Sequence, residues 1–467
     1  MQFKLLVCFD NNNGYSKNGD IPWHFSTDMK HFKKITTSTD KPNVVIMGSK
    51  TYKTLNKPLP NRINIVLSTT LTEENGIIIF NTLPKCLLYL NSIKNDIEDV
   101  FIIGGKSIYE SFLDMKLINE IFTTFIEKDY ECDLKFDISK YQKDFELINS
   151  VEKVRDCDKK NNNKLEYLNF DTYKYFNKEE EKFLSTLCKI VEKGSYSMDR
   201  SGVGTKSIFG KSFTYNIRNF RIPLFTHRKV FLRGIIEELL FFISGKTDTK
   251  LLENKGVNIW KGHTSAEYLK HRQLDYKEGS YGPAYGFQLR HWGAEYQGSD
   301  DHVYEGFDQL EYVIDLIKNN PTSRRILFSY WNPSVLDKVP LPSCHLLYQF
   351  NVDIEKGELS CSFYQRSNDF ALACVFNIVS ASVLTFMLCH LTGLKPGKVI
   401  HNIGNIHLYM NQLEVAKELA LNKPYNSPLL LIVDEDDKLK KMEDFKYENF
   451  KLLFYNSHKK YNIPFNV

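Results

Sequence analysis

The sequence predicts an α/β N-terminal domain, a mostly parallel sheet with flanking helices, joined almost without linker to a second, larger domain. Three observations carry this. The chain has 467 residues, too many for one ordinary core. Its first third alternates continuously apolar runs with helical patterns, as expected of strands buried on both faces. Two of those runs end in glycine and pass straight into a helix, NVVIMGSKTYKTL and DVFIIGGKSIYESFL.

Composition narrows the classes. At 42% hydrophobic and 25% charged, the chain is globular. With 61 basic against 57 acidic residues and a net charge of +4, no nucleic-acid partner is expected, whereas anionic small molecules fit. The nine cysteines are scattered, with no CxxC pair, so free thiols, no metal site and a reducing, cytoplasmic setting are expected. MQFKLLVCFD lacks a long apolar stretch after a basic segment, and no secretory signal is expected.

Taken in order, KLLVCF reads as the first strand. GYSKNGDIPWHFSTDMKHFKKIT predicts the first helix, with Asp28 among Trp23, Phe25, Met29 and Phe32. At helical spacing Asp28 and Phe32 share a face; taken alone, Asp28 reads most simply as a helix-end cap or ion-pair partner. NVVIMG, INIVLS and DVFIIGG are further buried strands. The two strand–glycine–helix junctions aim free backbone N–H groups and positive helix ends at one sheet edge, where phosphates bind. One such junction is commonly just a tight turn; two in one sheet point to a dinucleotide. The asparagine runs at 11–13 and 161–163 are loop tips. LEYLNFDTYKYF alternates as a strand, and NKEEEKFLSTLCKIVEKG follows as a helix with Phe183, Leu184, Leu187, Ile190 and Val191 on one face. The boundary falls near Asn177, separating 1–176 from 177–467.

In the second domain, residues 370–389 carry no charge, a length that would permit a membrane span. Arg366 and Asp369 border the run, and Asn377, Ser380, Ser382 and Thr385 interrupt it. A central core helix, and no membrane partner, is the expectation. LPSCHLLYQF places Cys344 directly before His345 and an apolar strand. A nucleophilic thiolate needs cationic neighbours; the candidates are Arg200, Arg324, Arg325 and Arg366. Singly, each reads as a surface arginine. Adjacent arginines opening an apolar strand repel unless an anion such as phosphate sits between them. His345 would point to the opposite face of its strand from Cys344 and is a poor base for it.

DIPWHFSTDMKHFK, NVVIMGSKTY, LPNRINIVLS, FIIGGKSIYE and IFTTFIEKDYECD, in that order, resemble the dihydrofolate reductase family over nearly all of residues 1–174. The resemblance implies NADPH as cofactor and folate as substrate. Asp28 would hold the pterin ring and favour its protonation, supported by Thr124. Phe32, Leu55 and Ile103 would sandwich the rings, Arg62 would clamp the glutamate carboxylate, and Cys8 would lie near the nicotinamide. Tyr15, Gly48, Ser49, Lys50, Thr51, Ser68, Thr69, Gly104, Gly105, Lys106, Ser107, Ile108 and Tyr109 would receive the cofactor. Ser49 and Thr69 stand where basic residues are usual, which weakens the electrostatic preference for NADPH over NADH.

DRSGVGTKSIFG, LRGIIEELLFFISGKT, YGPAYGFQLRHW, SRRILFSYWNP, LPSCHLLYQF, LSCSFYQRSNDF and HNIGNIHLYMNQ resemble the thymidylate synthase family, from about residue 179 to 467, and this implies an α+β second domain. Cys344 would add to the uracil ring of dUMP, and the one-carbon unit would come from methylene-tetrahydrofolate. Asn377 would read the base, Glu238 would organise proton transfer, and Tyr285 would assist it. Arg200, Arg366 and Ser367 would bind the phosphate with Arg324 and Arg325 of a second subunit, making a twofold homodimer part of the expectation. Gln365 and Asp369 join the dUMP set; His407 and Tyr409 would bind the sugar hydroxyl. Asp369, Trp260 and Val467 would line the folate pocket. Val375, Ala381 and Asn405 depart from the family pattern, as does Ser343. The two resemblances are chemically coherent, because the synthase releases the dihydrofolate that the reductase consumes. Rival readings are a pyrimidine hydroxymethylase, a reductase with a scaffold-only synthase half, and a folate-regulated RNA-binding protein.

Overall fold

The computed structural model describes residues 1–199, 202–299, 302 and 304–466. The chain divides into two compact units, Met1–Lys178 and Glu179–Val467.

In the first unit, β1 (Phe3–Phe9), β2 (Asn43–Gly48), β3 (Arg62–Leu67), β4 (Ile78–Phe80), β5 (Val100–Gly104), β6 (Ile118–Ile126), β7 (Phe145–Asp158) and β8 (Lys164–Tyr175) form an eight-stranded sheet. Its order is β4-β3-β2-β5-β1-β6-β8-β7. Every pairing from β4 to β6 is parallel, and β8 and β7 add antiparallel at one edge. Parallel neighbours need crossovers, and α1 (Ser26–Thr36), α2 (Ser49–Leu55), α3 (Leu83–Ser92) and α4 (Lys106–Asp114) lie in those connections. The continuously apolar runs are accordingly covered on both faces: Leu5, Val45, Ile46, Ile65 and Ile102 have no exposed surface. Strands β2 and β5 are adjacent and run directly into α2 and α4, whose N-caps are Gly48 and Gly105. Two helix N-termini therefore open side by side at the C-terminal edge of the sheet.

Helix α5 (Lys178–Lys193) carries the chain into the second unit, which starts at its second residue, Glu179. Phe183, Leu184, Leu187 and Ile190 are buried, and Val191 packs partly buried against the same core. Glu180, in the first turn of α5, is also fully buried; its carboxylate accepts from the backbone N–H groups of Thr226 and His227 and from the Thr226 hydroxyl. Strands β9 (Ser195–Ser197), β10 (Thr205–Asn216), β11 (Leu327–Ser329), β12 (His345–Asp353), β13 (Glu358–Asp369) and β14 (Lys395–Tyr409) form a second sheet, ordered β9-β10-β14-β13-β12-β11. Only β13 and β14 run parallel in it. Helices α6 (Leu232–Ile243) and α7 (Cys374–Thr392) pack in its core, an α+β arrangement.

Helix α7 is long and apolar enough to cross a membrane, yet 72% of its apolar window is buried inside the unit. It starts at Cys374, later than the uncharged run beginning at 370 suggests. The reason is local: Asp369 Oδ1 accepts from Leu372 N–H and its carbonyl from Ala373 N–H, so these residues make a turn. Gly393, in the left-handed conformation at φ 70°, ends the helix.

Candidate active sites

In the first unit Asp28 sits in the first turn of α1. Burial pushes its carboxyl above the ordinary value, opposed by a hydrogen bond from Thr124. Cys8 lies beside it, its thiol pushed well up by burial and by the Asp28 charge, with a hydrogen bond to Trp23 acting the other way. Phe32, Leu55 and Ile103, from three separate elements, are partly buried against one apolar cluster of Leu6, Val45, Met47, Tyr52, Val66 and Phe101. Arg62 opens β3, half-buried, and donates to the Thr36 hydroxyl at 2.7 Å and the Pro60 carbonyl at 3.0 Å. A carboxylate, flat apolar walls and a guanidinium can together hold an aromatic heterocycle with an anionic tail.

The paired helix N-termini complete this site. Gly104 has φ +122°, and a Cβ there would lie 3.1 Å from the Tyr109 hydroxyl, so only glycine leaves this approach open. Thr51 Oγ1 stands 3.7 Å from the position of a Cβ on Gly105, and Ile108 stands 3.6 Å from one on Gly48. Tyr15 accepts from the Lys106 backbone N–H, and the Tyr109 hydroxyl donates to the Leu6 carbonyl at 2.8 Å. Ser107 lies in the first turn of α4, and Ser49 and Lys50 open α2. Ser68 directly follows β3, whose Leu67 pairs with Gly48, and Thr69 is exposed in the next turn. Positive helix ends headed by glycines that keep side chains away fit the pyrophosphate of a dinucleotide.

In the second unit Cys344 immediately precedes β12 and is half-buried. Its backbone N–H donates to Tyr285 Oη at 2.8 Å. The Arg366 guanidinium, on the neighbouring strand β13, donates to the carbonyls of Ser343 and Pro342, both at 2.9 Å, and approaches Cys344 Sγ at 3.8 Å. A cation held this way favours the thiolate. His345 Nδ1 is 2.8 Å from the Tyr348 hydroxyl, and its side chain also hydrogen-bonds Asn377. Burial pushes His345 down to about 4, so it stays neutral near pH 7.

Around this thiol, Glu238 on α6 accepts from the Trp260 indole N–H at 2.8 Å, and burial pushes its carboxyl up to about 7. Tyr285 stacks on Phe242 at 4.7 Å and takes a backbone φ of 32° at the head of a short helix, an uncommon conformation for a tyrosine. Asn377, in the first turn of α7, accepts from the side-chain amides of Gln365 at 2.9 Å and Asn368 at 3.0 Å. Asp369, pushed up to about 6 by burial, accepts from Gln412 at 2.8 Å. His407, pushed down to about 4 chiefly by burial, lies 2.9 Å from Asn405 and meets Tyr409 edge-on at 5.4 Å. Ser367 pairs with Asn405 across β13 and β14.

Arg324 and Arg325 are not brought to this group. They are exposed ahead of the edge strand β11, and Leu327 pairs with Gln349, further along β12 from Cys344. At ~3.3 Å per residue, the five-residue offset alone is about 17 Å. Arg200 and Val467 lie outside the described residues. Three polar residues escaped the reading of the sequence: Asn368, His401 and Gln412. All three are buried within blocks already singled out for other residues, but polar neighbours in sequence (Ser367 and Asp369, Asn402, Asn411) gave no signal of that burial.

The Dihydrofolate reductase family pattern matches residues 2–172, and the Thymidylate synthase pattern matches residues 181–467. The chain is 38% identical to the bifunctional dihydrofolate reductase-thymidylate synthase of Paramecium tetraurelia, covering 100% of this chain and 99% of that protein. The chain belongs to the bifunctional dihydrofolate reductase–thymidylate synthase family. Proteins of the same name from Zea mays, at 38% identity over 100% of this chain and 97% of theirs, and from Leishmania major, at 34% over 98% and 93%, match both units in the same order. Family membership accounts for two sites of different chemistry in one chain. Among the described residues no cluster of His, Cys, Asp and Glu could hold a metal ion.

Proposed function

We propose that this chain converts dUMP to dTMP with methylene-tetrahydrofolate and reduces the dihydrofolate so released to tetrahydrofolate with NADPH. The observation that carries it is the Arg366 guanidinium, fixed by two backbone carbonyls and set against Cys344 Sγ.

In the synthase unit, the Cys344 thiolate adds to the pyrimidine carbon β to the 4-carbonyl, and the electron pair moves to that oxygen as an enolate. Asn377 hydrogen-bonds the base, and Glu238, able to exist in either protonation state near neutral pH, handles the proton at the carbonyl. The enolate carbon takes the methylene group of the folate. Loss of that carbon's proton, with Tyr285 Oη nearby, breaks the bond from the methylene carbon to the folate nitrogen and leaves an exocyclic methylene. Hydride from the tetrahydropterin adds to it, the electron pair expels the Cys344 thiolate, and the products are dTMP and dihydrofolate. Arg366, Ser367 and Arg200 hold the phosphate, Gln365 and Asp369 frame the nucleotide, His407 and Tyr409 take the sugar hydroxyl, and Trp260 with Val467 lines the folate pocket.

In the reductase unit, Asp28 and Thr124 orient the pterin, Phe32, Leu55 and Ile103 enclose it, and Arg62 takes its carboxylate. The N-termini of α2 and α4, with Tyr15 and Tyr109, seat the cofactor, whose nicotinamide supplies hydride when bound. Burial of Asp28 helps by raising its proton affinity where the pterin must be protonated.

The functional unit is a homodimer in which Arg324 and Arg325 complete the partner's phosphate site. Their distance from Cys344 in their own chain supports this, as do Leu347 and Tyr364, which stand exposed on the open face of the sheet at 37% and 39%. Nine free cysteines suit a reducing, cytoplasmic location.

A coupled assay tests the whole reading. With dUMP and methylene-tetrahydrofolate, absorbance rises as dihydrofolate forms, and added NADPH is then oxidised. Cys344→Ala abolishes the first step, by a factor of roughly a thousand or more, and leaves reduction of supplied dihydrofolate unchanged. If neither step occurs in the unsubstituted chain, the reading is wrong.

A further inference from the structure

Behind Asn377 runs a chain of buried amides that ends at His401, a residue with no part in the chemistry above. We infer that His401, acting through Gln365 and Asn368, fixes which end of the Asn377 carboxamide faces the pyrimidine, and so makes the site select a 4-keto over a 4-amino base. The inference rests on Asn377 being the base-reading residue.

His401, on β14, has no exposed surface and stacks on Phe363 at 4.2 Å, nearly parallel at 11°. Burial holds it well below the ordinary histidine value, so it is neutral and carries a single N–H. Its Nε2 lies 2.8 Å from Gln365 Oε1. A carbonyl oxygen can only accept, so the hydrogen is on Nε2, and Nδ1, which has no partner, keeps a bare lone pair.

The rest follows atom by atom. Gln365 Oε1 also accepts from Asn368 Nδ2 at 2.8 Å, so the Gln365 NH₂ points the other way and donates to Asn377 Oδ1 at 2.9 Å. The second Asn368 hydrogen goes to the same oxygen at 3.0 Å. Both lone pairs of Asn377 Oδ1 are thereby engaged from within the protein, the His345 side chain also hydrogen-bonds the Asn377 side chain, and the NH₂ end keeps a hydrogen for a ligand. A 4-keto oxygen accepts from that group. A 4-amino group would set donor against donor, and an unpaired buried polar group is costly.

The opposite arrangement, with every amide turned over and His401 protonated on Nδ1, makes the same number of bonds among His401, Gln365, Asn368 and Asn377. It differs in what it strands. As found, the partnerless atoms are two acceptors, His401 Nδ1 and Asn368 Oδ1. Turned over, the partnerless groups become buried N–H donors, which folded proteins tolerate less well than unpaired acceptors. His401 sets the direction because it is the end of the chain and its apolar stacking site offers Nδ1 nothing to donate to.

The test is calorimetric titration of dUMP and dCMP into the full chain and into His401→Leu and Gln365→Glu variants, with dihydrofolate reduction as the control for an intact chain. The unsubstituted chain prefers dUMP. His401→Leu lowers the dUMP-to-dCMP affinity ratio roughly tenfold. Gln365→Glu, whose carboxylate only accepts, draws the Asn377 NH₂ inward and moves the preference toward dCMP. A ratio unchanged in both variants overturns the inference, and so does equal weakening of both nucleotides, which is what a merely structural role gives. If the unsubstituted chain shows no preference, the base-reading assignment of Asn377 itself fails.

Discussion

At the scale of single residues, Glu238 carries a cost that its proposed role in proton transfer would explain. Its carboxyl, ordinarily at 4.5, is pushed up to about 7 by burial, so the folded chain disfavours the charged form. Between pH 4.5 and 7 the folded state therefore binds more protons than the unfolded state, and stability falls as pH rises through that window. Glu238→Gln removes the penalty. The variant should match the unsubstituted chain near pH 4.5 and exceed it at pH 8 by up to about 3 kcal/mol, read as denaturant midpoints of the synthase-unit transition. The same variant loses dTMP formation. An equal midpoint at pH 8 would mean that Glu238 is charged at no cost. Such a residue is invisible as a cost in the sequence, because burial depends on Trp260, Tyr281 and Tyr285 closing over it from distant segments.

At the scale of elements, the parallel sheet and its two glycine-headed helices were legible, because strands covered on both faces must be apolar throughout. The adjacency of β2 and β5 was less so, since parallel order is set by crossovers rather than by any one segment. In the second unit, Cys344 and Arg366 could be paired from the sequence because β12 and β13 are joined by a short turn and a register follows. The contacts of Gln412 could not, since they come from chain ends. Its NH₂ donates both to Asp369 Oδ2 and to the Pro464 carbonyl, each at 2.8 Å. One side chain thus joins the end of β13 to the C-terminal tail, which Asn411 and Asn466 also tie at 2.9 Å. Gln412→Leu removes two hydrogen bonds worth about 1 kcal/mol each. We expect faster amide exchange over residues 461–466 and a KM for methylene-tetrahydrofolate raised roughly fivefold, with dUMP affinity little changed. Tail exchange as slow as before would show that the Asn pair alone holds it.

At the scale of the whole molecule, the proposed homodimer turns on the position of Arg324 and Arg325. Both are exposed next to an edge strand, about 17 Å along the sheet from the thiol of their own chain. No rotamer spans that distance, so if they bind the nucleotide phosphate they bind it in another subunit. The proposed twofold arrangement makes a sharp demand. A chain with Cys344→Ala has no nucleophile but intact arginines; one with Arg324→Ala and Arg325→Ala has the nucleophile but no donated arginines. Each alone should form dTMP poorly. Unfolded together and refolded, random pairing makes half the dimers mixed, and each mixed dimer holds one site with both components intact. Activity should therefore return to roughly a quarter of that of the unsubstituted chain, while dihydrofolate reduction stays at full rate in every preparation. Recovery absent from the refolded mixture, with dimers present by light scattering, would place the arginines' role within their own chain and remove the reason for a shared site.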